Sequence, residues 1–398
     1  MKRSLLTEHE KTLHECVFSL VDIAYQIWMY ANGGVKLTTE SFQLRRVSRI
    51  ANACLSLLIT NLEGCHVWPV CIRSFPNATR FYLYGDVISE SAVHTLTRLD
   101  TITIGTAHFT NQLRSHSLFT PLTNLTSLRI TEAAHFVMNK PSLQALQTRL
   151  TKLSLTHSHQ SCGFDFASMS GLRSLTLRTS IDIPGPDHRP LPASLTSLSL
   201  WNQHHTDNAV MSLTGLTRLK MRFVTGITGA GISCLTSLTH LTVGMNTCVT
   251  DAAIVCLTGL TTLDLKLNNC ITDSGISGLT RLTSLDLSMN ECITDAAIVC
   301  LTGLTTLDLK MARGITDSGL SGLTRLTSLD LSMNECITDR ALDALTDSLT
   351  DLTLYKTPRV TVPCLLRLNR LKRLHLVDTD LISVLESRDT RFRIVYGV

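Results

Sequence analysis

The sequence predicts an α/β solenoid, in which short parallel strands stack on one side and short helices or turns on the other. The first observation behind this is a motif written four times over: Leu260-Thr-Thr-Leu-Asp-Leu, Leu282-Thr-Ser-Leu-Asp-Leu, Leu304-Thr-Thr-Leu-Asp-Leu and Leu326-Thr-Ser-Leu-Asp-Leu, each starting 22 residues after the last. A unit that short cannot bury its own apolar face and must stack on its neighbours. The second is the extent of the pattern, with leading leucines at 99, 125, 150, 172, 195, 216, 238, 260, 282, 304, 326, 349 and 371. The third is composition: 44% of residues are hydrophobic but only 5% aromatic, so the interior is aliphatic.

Within each unit the leucines at the first, fourth and sixth places point inward and the residues between them outward, as on a strand. The full pattern Leu-x-x-Leu-x-Leu-x-x-Asn at Leu282 to Asn290 resembles the leucine-rich repeat family. That resemblance implies a curved solenoid with its parallel sheet on the concave side. It also implies that Asn246, Asn268, Asn290 and Asn334 form a ladder satisfying backbone groups of neighbouring coils. The Ile-Thr-Asp that follows, as at Ile271 to Asp273, offers an N-cap for a short outer helix, with Asp as the acceptor. Ala252 to Cys256 fits one or two helical turns. The Cys-Ile-Thr-Asp element resembles the cysteine-containing subclass, although the 22-residue period is shorter than that subclass uses.

Four segments follow from this register. Residues 1–63 form a helical N-terminal segment, either an F-box-like domain or a cap, and 64–98 a transitional first repeat. Residues 99–378 carry the repeats, and 379–398 form a C-terminal cap. A solenoid needs closed ends, because its last apolar layer and last strand otherwise face water. In the first segment, apolar residues at three- and four-residue intervals predict helices over Glu8 to Ala31 and Thr39 to Asn61. The run Val21-Asp-Ile-Ala-Tyr-Gln-Ile-Trp, followed by Leu44-Arg-Arg-Val-Ser-Arg, resembles an F-box, with Ser19-Leu20 where that family usually has Leu-Pro. By that resemblance, Leu20, Ile23, Ile27, Trp28, Leu44 and Val47 would form the face for a Skp1-type adaptor. Downstream, the prolines of Ile183 to Pro192 exclude a helix, so one outer turn is an extended loop.

The formal net charge of +4 over 398 residues argues against a generally basic nucleic-acid binder. The N-terminus has no apolar core before its polar residues, unlike a signal peptide. The apolar run Cys16 to Ala31 is too short to span a bilayer. Thirteen cysteines, with Cys248, Cys270, Cys292 and Cys336 in one column of the repeat, read as small buried hydrophobes in a reducing compartment. The expected location is cytoplasmic or nuclear.

Candidate sites lie on the outward strand places. Asp264, Asp286, Asp308 and Asp330 form an acidic strip at about the 4.8 Å strand spacing, either a solvated face or a surface for a basic partner. Upstream, Arg178, Trp201, Arg218, Lys220, Arg222 and Phe223 combine arginine with aromatic residues, the composition of an interface hot spot. No metal, cofactor or catalytic constellation is recognisable: Gly226-Ile-Thr-Gly-Ala-Gly231 lacks the Lys-Ser or Lys-Thr of a phosphate loop. The function expected is non-enzymatic protein binding on the concave face. One form is the substrate-recognition subunit of an SCF-type ubiquitin ligase; the alternative is a scaffold without a ubiquitin role.

Overall fold

Leucines dictate the fold by alternation: in Arg218–Arg222 the apolar Leu219 and Met221 are buried, and Arg218 and Lys220 stand exposed between them. The computed structural model describes residues 61–62, 79–83, 97–104, 119, 121–131, 146–156, 166–178, 191–201, 206–376, 385 and 392–396. They fall in two units, within Met1–Leu172 and within Arg173–Val398. The helix expected over 8–31, the helix expected over 39–61 up to residue 60, the adaptor-face residues Leu20, Ile23, Ile27, Trp28, Leu44 and Val47, and most of the proline loop lie outside the described residues. Asn61, the last residue of the second helix as expected, instead opens a strand.

In the first unit, β1 (Asn61–Leu62), β2 (Arg80–Leu83), β3 (Thr101–Ile104), β4 (Ser127–Thr131) and β5 (Lys152–Thr156) pair in chain order, all parallel. The second unit begins with β6 (Ser174–Arg178), β7 (Ser197–Trp201), β8 (Arg218–Arg222) and β9 (His240–Thr242). It continues through β10 (Thr262–Asp264), β11 (Ser284–Asp286), β12 (Thr306–Asp308) and β13 (Ser328–Asp330). It ends with β14 (Asp351–Leu354), β15 (Arg373–Leu376) and β16 (Arg393–Tyr396). Each strand from β7 to β16 pairs in parallel with the one before it. The register puts like on like, so Leu263, Leu285, Leu307 and Leu329 form one buried column and Asp264, Asp286, Asp308 and Asp330 one outward column.

From Gly229 to Arg367, a short helix follows each strand's turn, where earlier coils carry 3-10 turns at Phe166–Ser168 and Asp207–Ala209. The helices are α1 (Gly229–Ile232), α2 (Asp251–Ile254), α3 (Asp273–Ile276), α4 (Asp295–Ile298), α5 (Asp317–Leu320), α6 (Asp339–Asp343) and the longer α7 (Val362–Arg367). Ile232, Ile254, Ile276, Ile298 and Leu320 are buried completely. Each such side chain contributes roughly 1.5–3 kcal/mol, more than a helix this short can supply for itself.

Two polar ladders cross the coils. Asn268 donates to the carbonyls of Val243 and Asn246, both at 2.9 Å, and its Oδ1 accepts the Cys270 N–H at 3.0 Å. Asn246, Asn290 and Asn334 repeat the arrangement, each 1% exposed. A buried amide so placed satisfies backbone groups that burial would otherwise leave orphaned.

The second ladder corrects the expected helix cap. In α3, α4, α5 and α6 the cap is threonine: Thr272, Thr294, Thr316 and Thr338 each accept from the N–H two residues on. The aspartate lies inside the first turn, and its carboxylate reaches to the next coil. Asp295 accepts both the Thr316 N–H at 2.8 Å and its hydroxyl at 2.6 Å. Asp207, Asp251, Asp273, Asp317 and Asp339 clasp Thr228, Thr272, Thr294, Thr338 and Thr361 in the same way. The sequence permits both readings, because Thr and Asp are adjacent and both are good caps.

The cysteine column needs a smaller correction. Cys248, Cys270, Cys292 and Cys336 are free thiols but half-buried, each donating its S–H to a carbonyl of the preceding coil at 3.1–3.4 Å. Cys364 is buried, and burial pushes its thiol up to about 12, which leaves it unreactive.

Candidate functional site

Strand ends place three of the candidate residues around one ring. Trp201 closes β7 in register with Arg222 at the end of β8. The Arg178 guanidinium, at the end of β6, lies 4.2 Å from the centre of the Trp201 ring, and that of Arg222 lies 5.6 Å away. Phe223 adds a tilted ring 6.0 Å off, and is 44% exposed. Cation–π contacts at such sites contribute about 0.5–1 kcal/mol each. Arg218 and Lys220 stand exposed on β8 away from this cluster. Arg218 instead pairs in register with His240, whose pKa burial lowers, with the Arg218 charge adding to the effect.

Arg222 belongs to two groups at once. Its Nη2 reaches across β9 to Asp264 Oδ2 at 3.1 Å. Glycine at 244 leaves room for this: a Cβ there would lie 3.3 Å from Asp264 Oδ1 and 2.9 Å from the Lys266 carbonyl. Asp264 is therefore paired, and Asp286, Asp308 and Asp330 remain without a basic side chain against them among the ion pairs of the described residues.

The four aspartates are half-buried. Each turns Oδ1 back onto its own chain, accepting the N–H of Lys266, Ser288, Lys310 or Ser332 two residues on, at 2.8–3.1 Å. Asp286 accepts the Ser288 hydroxyl as well. In the middle of the column, burial and the charges of Asp286 and Asp330 push Asp308 up to about 6, against hydrogen bonds from Lys310 and Ser288 that act downward. Farther on, burial acts upward on Asp351 and is outweighed by hydrogen bonds from Arg373 and Thr350 and by the charges of Arg373 and His375, which hold its carboxyl below the usual range.

Sequence reasoning singled out Phe223 but passed over the rest of the row it belongs to. Immediately past the outward places, Phe223, Met245, Leu267, Met289, Met311 and Met333 all adopt positive φ, between 55° and 59°. The conformation aims backbone N–H groups at the following coil: Met289 donates to Lys310 at 2.8 Å and Met311 to Ser332 at 3.0 Å. Glycine or asparagine is the usual signal for such a backbone, and neither stands here, so no residue type announces the turn. The repeat of Ser-Met-Asn-Glu at Ser288 and Ser332 was the available clue.

Among the described residues no group of three His, Cys, Asp or Glu side chains is placed to hold a metal ion, and no helix is long and apolar enough to cross a membrane. The glycine-rich stretch Gly226 to Gly231 is a turn leading into α1, capped by Thr228.

Two stretches match known family models: residues 258–299 as leucine-rich repeats in two copies, and residues 322–345 as a leucine-rich repeat. The fold is a leucine-rich repeat solenoid. Among solved structures it is similar to the TLR13–ssRNA13 complex at 17% identity and a TM-score of 0.54, over 82% of this chain and 58% of that one. An internalin, InlF of Listeria monocytogenes, is similar at 20% identity and a TM-score of 0.44, over 77% and 88% of the two chains. The Rad7–Elc1 complex of yeast is similar at 15% identity and a TM-score of 0.47, over 96% and 100%. At these identities the likeness is one of fold. No curated protein matches the chain. In leucine-rich repeat terms, the Trp201 cluster and the acidic column both lie on the strand face.

Proposed function

We propose that the strand face of the repeats holds a protein partner, anchored on the cluster of Arg178, Trp201, Arg222 and Phe223. One observation supports this above the others: a tryptophan with two guanidinium groups over its ring, 4.2 Å and 5.6 Å from its centre, stands at strand ends, outside the leucine core. Preorganised aromatic and arginine side chains lose little entropy on binding and carry much of the energy of protein interfaces. Arg218 and Lys220, exposed farther back on the strand that ends in Arg222, favour a partner with acidic groups at its rim. Replacing Trp201 and Arg222 together by alanine abolishes capture of the co-purifying partner and leaves the melting temperature nearly unchanged. A large fall in melting temperature with capture retained overturns the reading and makes the cluster structural.

A finer form of this reading makes the chain the substrate-recognition subunit of an SCF-type ubiquitin ligase, acting in the cytoplasm or nucleus. It rests on the F-box-like run around Ile27 and Val47 and on the Cys-Ile-Thr-Asp element. Its test is co-purification with a Skp1-type adaptor, comparing wild type with Ile27→Asp. If wild type carries no adaptor, the chain is an interaction scaffold without a ubiquitin role.

A further inference from the structure

We propose a second docking surface, separate from the Trp201 cluster: the row Leu267, Met289, Met311 and Met333, which takes a basic amphipathic helix lying across the strands. The row is a choice the fold does not require. Positive φ at these places serves the backbone, and glycine would adopt it without the steric cost that a side chain incurs. The chain nevertheless sets a large apolar side chain there in each coil, with Leu267 42% exposed and the three methionines half-buried. Comparison of the copied units points the same way. Asp251 to Lys266 recurs unchanged at Asp295 to Lys310, and beyond the copy Leu267-Asn-Asn becomes Met311-Ala-Arg. The ladder asparagine is lost there while the apolar side chain remains. Methionine is well suited to contact with a varied apolar surface, being unbranched and polarizable.

Charge selects the occupant. Met289 is flanked in its own turn by Asp286 and the exposed Glu291, and Met333 by Asp330 and the exposed Glu335. In those two coils a buried serine (Ser288, Ser332) takes the place held by the half-buried Lys266 and Lys310 in the alternate coils. The acidic coils therefore alternate, two strand spacings or about 9.6 Å apart. A cation held over the column also relieves the crowded Asp308, which its acidic neighbours and burial disfavour as an anion.

Pitch selects the helix. Helical residues seven apart share a face and lie about 10.5 Å apart, within about 1 Å of the distance between acidic coils. Residues three or four apart meet successive methionines, at about 5.4 Å per turn against about 4.8 Å per coil. An extended segment repeats its face every 6.6–6.8 Å or so, and loses register by several ångströms over four coils. The recognition mode is the docking of an amphipathic helix by its apolar face.

The test uses the full chain and fluorescent synthetic peptides of about 18 residues, about 27 Å as a helix. The probe carries leucine at three- and four-residue intervals and lysine at seven. Its controls are the same composition scrambled, a strictly alternating Leu-Lys peptide, and the helix with glutamate for lysine. The helical lysine peptide binds in a salt-sensitive manner, at least about tenfold tighter than each control. Replacing Met289, Met311 and Met333 together by glycine weakens it at least about tenfold without lowering the melting temperature, because glycine suits the backbone there. Asp286→Asn with Asp330→Asn weakens it while keeping the Oδ1 acceptors. Trp201→Ala leaves it unchanged, so failure of this surface and failure of the Trp201 site are read separately. Equal binding of the scrambled peptide, tighter binding of the alternating one, or indifference to the glycine variant overturns the proposal.

Discussion

Arg222 and Asp264 form an ion pair across an intervening strand, Nη2 to Oδ2 at 3.1 Å, with side chains 32% and 17% exposed. The pair ties the aromatic cluster to the first carboxylate of the acidic column, and Arg222 faces the Trp201 ring from the same position. Asp264→Asn frees the guanidinium. At this exposure the stability change stays below about 1 kcal/mol. The tryptophan emission spectrum shifts because the charge near the indole moves. Asp351→Asn, in the remote pair with Arg373, leaves the spectrum as it is. An unshifted spectrum in Asp264→Asn contradicts the pairing.

The aspartate–threonine clasps yield a stabilising substitution. Gly229 stands where α2 to α6 have aspartate, and Thr250 in the next coil caps α2 with no side-chain hydrogen bond of its own. Gly229→Asp supplies the missing carboxylate to Thr250, removes a glycine from a helical turn, and places an anion at its N-terminal end. A Cβ at 229 meets only Ala253 Cβ, at 3.1 Å, so the neighbour gives by a few tenths of an ångström. The expected gain is about 1 kcal/mol, seen as a raised melting temperature. A lower one shows that the contact with Ala253 dominates.

Gly314 responds in the opposite sense. Its coil carries Ala312 in place of the ladder asparagine and glycine in place of the column cysteine, and the turn closes on its neighbour. A Cβ at 314 would lie 2.2 Å from the Ile293 carbonyl oxygen. Gly314→Ala therefore pushes two coils apart and destabilises by about 1–3 kcal/mol, whereas Gly278→Ala, with open space around its Cβ, costs little. Equal melting temperatures for the two variants refute this account of the turn.

What could be read from the chain follows from how far each contact reaches. The buried leucine columns were legible because a fixed period maps each residue onto its own copy one strand away, and the asparagine ladder because the resemblance to leucine-rich repeats implies it. The register of Leu263 on Leu285 and Asp264 on Asp286 follows directly. Arg222 with Asp264 was not legible, because the partners are 42 residues apart and the pairing depends on a small residue at 244. The clasp of Asp295 on Thr316 was misassigned to a local cap, since the sequence shows which residues can accept but not in which direction a carboxylate turns. The positive-φ row escaped because leucine and methionine do not mark such a turn.

Asp308 makes the acidic column sensitive to pH. Its carboxyl is raised from the ordinary 3.8 to about 6, first by burial and then by Asp286 and Asp330. A group raised on folding binds more protons in the native state than in the unfolded one between about pH 4 and 6, so its contribution to stability falls as pH rises through that window. The full shift corresponds to at most roughly 3 kcal/mol, and solvent screening at a half-buried carboxyl reduces it to about 1–2 kcal/mol. Asp308→Asn keeps the Oδ1 acceptor for the Lys310 N–H and removes the charge. The variant should melt higher than wild type above pH 6, with the difference shrinking toward zero near pH 4. Asp351 has the opposite sign: its carboxyl is depressed, so its contribution is present above the ordinary carboxylate range and is lost only below it. The two windows do not overlap, and thermal melts of wild type and Asp308→Asn from pH 4 to 8 isolate the column. A constant difference across that range would show that Asp308 is an ordinary surface carboxylate.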